Sequence, residues 1–466
     1  MFRSVKLKNT RPFGFRDKLG YLFGDFGNDF TFILSSSFLL KFYTDVMGVA
    51  PWIVGLVMTF ARFVDGFTDV TMGRIADRSR VTHHGKFKPW IFRMAAPVAI
   101  SSFLIYQSGF AGAAMWFKIT WLVITYILWG SIFYTSINIP YGSMASSISS
   151  SPEDRQSLST FRTMGSTLAG VIVGAGIPIF AYDKINGNTV LNGPRFTLIA
   201  GIFSILAILC YMLCYVLTTE RVVSESEGRE QPSVRVMLKN AFSNRALISI
   251  IVGSVVMLLA QLTMQAMSNY IYPNYYGNVK AQSVATFAMM GGMIIAAIVA
   301  KPLSRKFGKA EISAASNLVA ALVCIFLFTI RPENVWIYVL INLASWFGLG
   351  IFAMVSWALI TDVIDDAELK NGRREDGTIY ALYSFARKLG QALSAGLTGA
   401  LLSAIGYSDK TAFDEGVLRG VYDISTLVPA LGFGILAIIL WFWYPLHKRI
   451  VEENVTALEI KHGKVA

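Results

Sequence analysis

The sequence predicts an all-α polytopic membrane protein, with twelve transmembrane helices in two six-helix bundles. Three observations carry that prediction. First, 54% of the 466 residues are hydrophobic and only 15% are charged, against roughly a quarter charged in a soluble domain. The mean hydropathy is +0.53. A soluble fold of this composition lacks the polar surface to cover its core, which excludes a cytosolic enzyme, a disordered chain and a secreted disulfide scaffold. Second, apolar runs recur along the chain, most of them longer than the ~20 residues a spanning helix needs. They lie at roughly 20–44, 52–76, 89–109, 118–147, 157–182, 194–218, 243–276, 281–303, 311–330, 335–365, 378–406 and 421–446. Third, the longest polar interval, TERVVSESEGREQPSVRVMLKNAF at 219–242, falls at the midpoint.

These runs set the domain plan. Residues 1–218 form an N-terminal bundle with a cytoplasmic tail, and 219–242 a cytoplasmic loop. Residues 243–447 form the second bundle, and 448–466 a cytoplasmic tail. With the N-terminus inside, the inner loops collect Arg74, Arg78, Arg80, Lys86, Lys88 and Arg93, then Lys301, Arg305, Lys306 and Lys309. Lys370, Arg373 and Arg374 follow, and Lys448 and Arg449 come after the last span. That bias predicts that both termini are cytoplasmic, in a bacterial inner membrane. It also accounts for the net charge of +12 without a nucleic-acid partner. The N-terminal residues are basic, but no apolar run begins before about residue 20, so the first span acts as its own signal. Cys210, Cys214 and Cys324 lie inside apolar runs and read as packing residues. The loops GRIADRSRVTHHGKFKPW and AKPLSRKFGKAEI occupy equivalent places in the two halves. Such an echo suggests duplicated bundles, as in the major facilitator architecture.

Charges inside spans are costly, at least ~2.5–3.5 kcal/mol at the centre, so they point to function. In the second span, FARFVDGFTDVTMG puts Arg62, Asp65 and Asp69 on one helix face. Two carboxylates one turn apart suit a shared Na⁺ or a held proton; a structural ion pair with Arg62 is the plainer alternative. In the first span, GYLFGDFGNDF places Asp25 and Asp29 one turn apart. Asp29 suits sugar hydroxyls or a pairing with Arg62. In the fourth span, YTSINIPYGS sets Thr135 and Asn138 on a shared face near Tyr134 and Tyr141. Thr135 is a candidate cation ligand, Asn138 a candidate partner for sugar or ion, and Tyr141 a candidate sugar contact. In the eleventh span, Ser384, Lys388 and Gln391 form a stripe with Tyr380 above. Lys388 suits countering the carboxylates, whereas Arg387 faces elsewhere and suits snorkelling. TDVIDDAELKNGRREDG brings Asp362, Asp365 and Glu368 to one side of the tenth span, with Arg373 and Arg374 beyond. With Glu153, Asp154, Arg155 and Arg162 on the other half, they suit an inner gate. No phosphate-cradling loop, hydrolytic nucleophile motif or metal-ligand cluster appears. The reading is therefore not an enzyme, with no cofactor and no metal beyond Na⁺ at Asp65 and Asp69.

Four stretches resemble the glycoside–pentoside–hexuronide:cation symporter family: GYLFGDFGNDF with KFYTDVMG, RFVDGFTDVTMGRIADRSR with GKFKPW, YTSINIPYGS, and TDVIDDAELKNGRREDG with YSFARKLGQA. The resemblance covers nearly the whole chain. It implies Asp65 and Asp69 as cation carboxylates, with Thr135 as a further ligand. Asp29, Asn138, Arg162 and Lys388 fall at its sugar-site or coupling positions, and Asp362, Asp365 and Arg374 at its inner gate; Arg62, Tyr141 and Ser384 join the candidate substrate-binding residues. The family's melibiose carrier has an aspartate where this chain has Asn138, a tryptophan at Gly142, and its tenth-span tryptophan near Ala353, with Trp357 one turn on. NIPYGS and SFxRKxGQA look more like the glucuronide and pentoside carriers; by that resemblance Arg387 beside Lys388 suits an anionic hexuronide, and a neutral xyloside fits equally well. The expected function is import of a xyloside, pentoside or glucuronide with H⁺ or Na⁺ by alternating access. Its expected partners are the small glycoside and membrane lipid, with no obligatory protein partner. The alternatives are a cation-coupled lysolipid carrier and a non-transporting membrane sensor of the same fold.

Overall fold

The structure, a computed structural model, describes residues 5–6, 11–223, 244–371 and 376–461. Long apolar stretches must satisfy their backbone groups internally in lipid, and helices are how a single segment does so. The described chain accordingly forms α1 (Phe15–Asp45), α2 (Pro51–Arg78), α3 (Lys88–Ile105), α4 (Met115–Ile148), α5 (Pro152–Ala181) and α6 (Gly193–Leu217). After the midpoint come α7 (Arg245–Tyr275), α8 (Val279–Phe307), α9 (Lys309–Ile330), α10 (Val335–Asn371), α11 (Asp376–Ala404) and α12 (Glu415–Trp443). A shorter α13 (Lys448–Lys461) follows. Helix starts carry side-chain caps: Ser151, Asn192, Asn244 and Asn278 each accept a backbone N–H from the first turn.

Among the described residues, nine helices are long and apolar enough to cross a membrane. The long helices outside that set are α1, α2 and α11, of 31, 28 and 29 residues. Length is not what they lack; they carry Asp25, Asp29, Arg62, Asp65, Asp69, Arg387 and Lys388.

The chain divides into two compact units, Met1–Arg229 with Gly406–Ala412, and Glu230–Ile405 with Phe413–Ala466. In the first unit α1 packs on α5 and α6. Glycine permits the approach: a Cβ at Gly165 would stand 2.4 Å from the Leu22 carbonyl oxygen, and one at Gly24 2.2 Å from the Tyr141 ring. Fully buried Asp17 anchors the start of α1. It accepts from Arg11 at 2.8 Å, Arg221 at 2.9 Å and the Thr219 backbone N–H at 3.0 Å. Next to it in sequence, the Glu220 carboxylate accepts the N–H groups of Lys86, Phe87 and Lys88, each at 2.8 Å. Burial raises the Glu220 carboxyl above the usual carboxylate range, and these N–H groups pull it down. At the far end of α1, buried Lys41 pairs with Asp45 at 2.6 Å and donates to the Tyr407 hydroxyl at 2.9 Å.

The second unit is built around a buried apolar cluster that includes Phe352, Leu359, Tyr383, Phe433 and Leu436. Gly348 brings α10 against α9, where a Cβ would sit 2.5 Å from the Ser316 carbonyl oxygen. Lys309 pairs with Asp362 at 2.5 Å, and Glu311 accepts the Lys448 backbone N–H at 2.8 Å.

Several spans run past the apolar run that marks them. α1 begins at Phe15, α5 at Pro152 and α12 at Glu415, because polar first turns continue a helix once it is nucleated. A hairpin, Tyr182–Ile185 with Asn188–Leu191, fills the gap before α6. Asn186 and Gly187, both at positive φ, form its turn. The tail expected after 447 contains α13, whose Leu458 is buried and whose Lys461 lies 3.7 Å from Glu368 of α10.

Candidate functional site

The α2 face that carries Arg62, Asp65 and Asp69 meets α4 at a stretch of wider π-type winding, Leu128–Tyr134. Such wider turns recur at functional sites. Here the Ser131 hydroxyl donates to Asp65 Oδ1 at 2.5 Å, and the Thr135 hydroxyl donates to Asp69 Oδ1 at 3.0 Å. Arg62 Nη1 pairs with Asp65 Oδ2 at 3.2 Å and lies over the Phe32 ring at 4.9 Å. Two carboxylates and two hydroxyls thus converge from two helices. All four groups offer oxygen, the donor type a hard cation prefers, and either carboxylate accepts a proton.

A second cluster joins α1, α4, α5 and α6. Arg162 Nε donates to Asp25 Oδ1 at 3.0 Å, and its guanidinium lies 5.4 Å from the centre of the Tyr141 ring. Tyr141 stacks on Tyr21 at 4.6 Å and donates to the Tyr21 carbonyl at 2.6 Å. Asn28 donates to Asn138 Oδ1 at 3.4 Å and accepts from the Tyr211 hydroxyl at 2.9 Å. Asn138 therefore joins the α1 cluster, not the carboxylate pair. Asp29 is half-buried, with Ser166 of α5 as a hydrogen-bond partner. The Arg162 side chain stays 41% exposed, which leaves part of its fork open to a ligand.

In the second unit, Ser384 is half-buried and Lys388 exposed on α11. Asp362 is buried and paired to Lys309; Asp365 is half-buried. Arg374 lies outside the described residues. Among the described residues, no group of three His, Cys, Asp or Glu side chains is arranged to hold a metal ion.

Sequence reasoning paired Arg62 with either the second-span acids or Asp29; the structure pairs it with Asp65. It did not single out Ser131, although Ser131 stands one turn before Thr135 and that spacing was available. It placed Asp25 one turn from Asp29 and did not foresee its pairing with Arg162, because that contact joins helices far apart in the chain. Asn28 and Tyr211 carried no sequence signal of their own.

Among the described residues, long helices, nine of them apolar enough to span a membrane, with ionisable groups concentrated on a few, suit a membrane protein of the major facilitator fold. The family model described as MFS/sugar transport protein matches residues 20–448, and the chain belongs to that family. An uncharacterized symporter of Bacillus subtilis is 29% identical over 460 residues, covering 96% of this chain and 97% of that protein. A glucuronide carrier protein homolog of Escherichia coli is 27% identical over 460 residues, covering 97% and 96%. Among solved structures, a D-xylose-proton symporter superposes with a TM-score of 0.62 at 14% identity, covering 92% of this chain and 97% of that one. The chain is an integral membrane sugar transport protein of the major facilitator type, and not an enzyme.

Proposed function

We propose that this protein imports a glycoside of the xyloside, pentoside or glucuronide class together with H⁺ or Na⁺. One observation supports the coupling role most directly: the Asp65–Asp69 pair is faced by the Ser131 and Thr135 hydroxyls. In this reading a cation binds there and removes excess negative charge. The neighbouring cluster of Asp25, Asp29, Asn138, Tyr141 and Arg162 then takes the sugar more tightly. Coupling of this kind requires that each ligand bind one state better when the other is present. The loaded bundles exchange access between the two sides, and Asp362, Asp365 and Arg374 act at the inner gate. Lys388 counters the carboxylates once the cation has left. Both termini lie in the cytoplasm, and the protein resides in the bacterial inner membrane.

The test is uptake by purified protein in liposomes under an imposed proton or sodium gradient. Asp69→Asn is expected to abolish concentrative uptake while retaining exchange of labelled sugar between equal pools. Undiminished accumulation by this variant sinks the coupling assignment.

A further inference from the structure

One buried ion pair of the first unit is closed by a segment from far along the chain. Residues 406–412 link α11 to α12, both of the second unit, yet they belong to the first. Their Tyr407, 2% exposed, reaches the last turn of α1. There buried Lys41 pairs through Nζ with Asp45 Oδ2 at 2.6 Å and donates to the Tyr407 hydroxyl at 2.9 Å. That hydroxyl in turn donates to Asp45 Oδ1 at 2.9 Å. The three groups close a ring, which a hydroxyl can complete because it both accepts and donates. The Thr44 hydroxyl adds a further donor to Asp45 at 3.0 Å.

Both sides of this contact hold their own shape. On the α1 side, buried Lys118 donates to the Met47 carbonyl at 2.8 Å and fixes the turn after the helix. In the segment, Gly406 turns the chain out of α11 at φ +75°, where a side chain would be strained. The Thr411 hydroxyl donates to the Gly406 carbonyl at 2.6 Å, and the Ser408 and Thr411 hydroxyls meet at 2.8 Å. Each of these hydroxyls also accepts the other residue's backbone N–H, at 3.0 and 3.3 Å. Because these bonds lie inside the segment, it keeps its form whether docked or lifted. Docked, the ring satisfies charges that would be costly to bury alone. Lifted, the same groups meet water, which solvates them. The contact therefore has two satisfied states, as a strap that opens and closes requires.

We infer that residues 406–412 are an outer latch. With the N-terminus inside, the Asp45 end of α1 faces outward. The strap is docked while the outer side is closed, and Tyr407 leaves Lys41 and Asp45 when that side opens. Alternating access moves one bundle against the other, and this strap is a length of second-bundle chain that the first must release. The latch goes beyond the import reading, since it uses none of the proposed ion or sugar residues; it rests on that reading only for orientation and alternating access.

The test is labelling of a reporter cysteine, Ala412→Cys, at a position 2% exposed in the docked strap. A charged, membrane-impermeant maleimide is added to spheroplasts. The chain without the reporter sets the baseline, because Cys210, Cys214 and Cys324 are buried. Labelling of the reporter alone is slow. Tyr407→Phe keeps the ring, removes the hydroxyl, and raises the rate by about tenfold or more, the scale of a lost hydrogen bond to a charged group. Asp45→Asn raises it too, whereas Lys410→Gln, an exposed change on the same strap, leaves it within about twofold. Transport splits as well. Tyr407→Phe binds methyl β-D-glucuronide or methyl β-D-xyloside within about twofold of wild type but takes it up severalfold more slowly, because the outer side no longer closes firmly. A Tyr407→Phe protein that melts at a lower temperature yet labels at the unaltered rate has lost a structural bond only, and overturns the latch. A rise in labelling confined to everted vesicles puts the strap on the inner face and also overturns it. A wild type that carries neither sugar under any gradient removes the import reading, while the labelling still decides the latch.

Discussion

The two units spend their charges differently. In the first, the inner stretches of α1 and α2 carry Asp25, Asp29, Asp65 and Asp69, of which Asp25 is matched by Arg162 and Asp65 by Arg62. The second keeps its α10 carboxylates, Asp362, Asp365, Asp366 and Glu368, toward the helix end at Asn371. Its deeper α11 positions hold cations instead, with Arg387 supported by aromatic rings.

The largest effect that sharpens this contrast comes from crossing the two key substitutions. Asp69→Asn removes dependence on the ion gradient, whereas Arg387→Gln leaves it in place and changes which sugar is preferred. Uptake measured with the gradient on and off separates them. Loss of gradient dependence in Arg387→Gln would break the contrast.

Next in size is Asp17→Ala. It strands Arg11 and Arg221 beside a fully buried site, and removing one partner of such a group costs about 3–5 kcal/mol. Cys210, Cys214 and Cys324 are free and buried, so a thiol-reactive dye reports unfolding on heating. An early rise in dye signal for Asp17→Ala is the expected outcome.

The glycine contacts compare the units directly. Gly165→Ala and Gly348→Ala each press a methyl onto a carbonyl oxygen of the facing helix, for about 1–3 kcal/mol of overpacking. Both lower thermal stability. Only Gly165→Ala is expected to depress sugar binding as well, because α5 carries Arg162 to Asp25. Equal binding in the two variants would argue against that cluster.

The smallest effect is expected from Arg331→Gln. It breaks a 2.7 Å pair with Asp423 in which both side chains are about a third exposed, and such pairs contribute within about 1 kcal/mol. A stability change well beyond that would show that the arginine's packing on Phe328 and Tyr422 matters more than its charge.

The class of protein was legible in the chain because lipid imposes a composition. Twenty-residue apolar runs, a polar midpoint and basic loops follow from the bilayer alone, whatever the partners in space. Helix spacing likewise made the Arg62, Asp65 and Asp69 face readable, since residues three and four apart share a side by local geometry. What local geometry does not contain is which face meets which. Arg162 reaching Asp25 across 137 positions and Ser131 of α4 meeting Asp65 of α2 were decided by tertiary packing. So was the place of Arg387, which the sequence reading sent either to the membrane edge or, by resemblance, to an anionic sugar. The structure lays it on Trp357, because a neighbouring helix offers a ring where periodicity alone shows only an unclaimed side of α11.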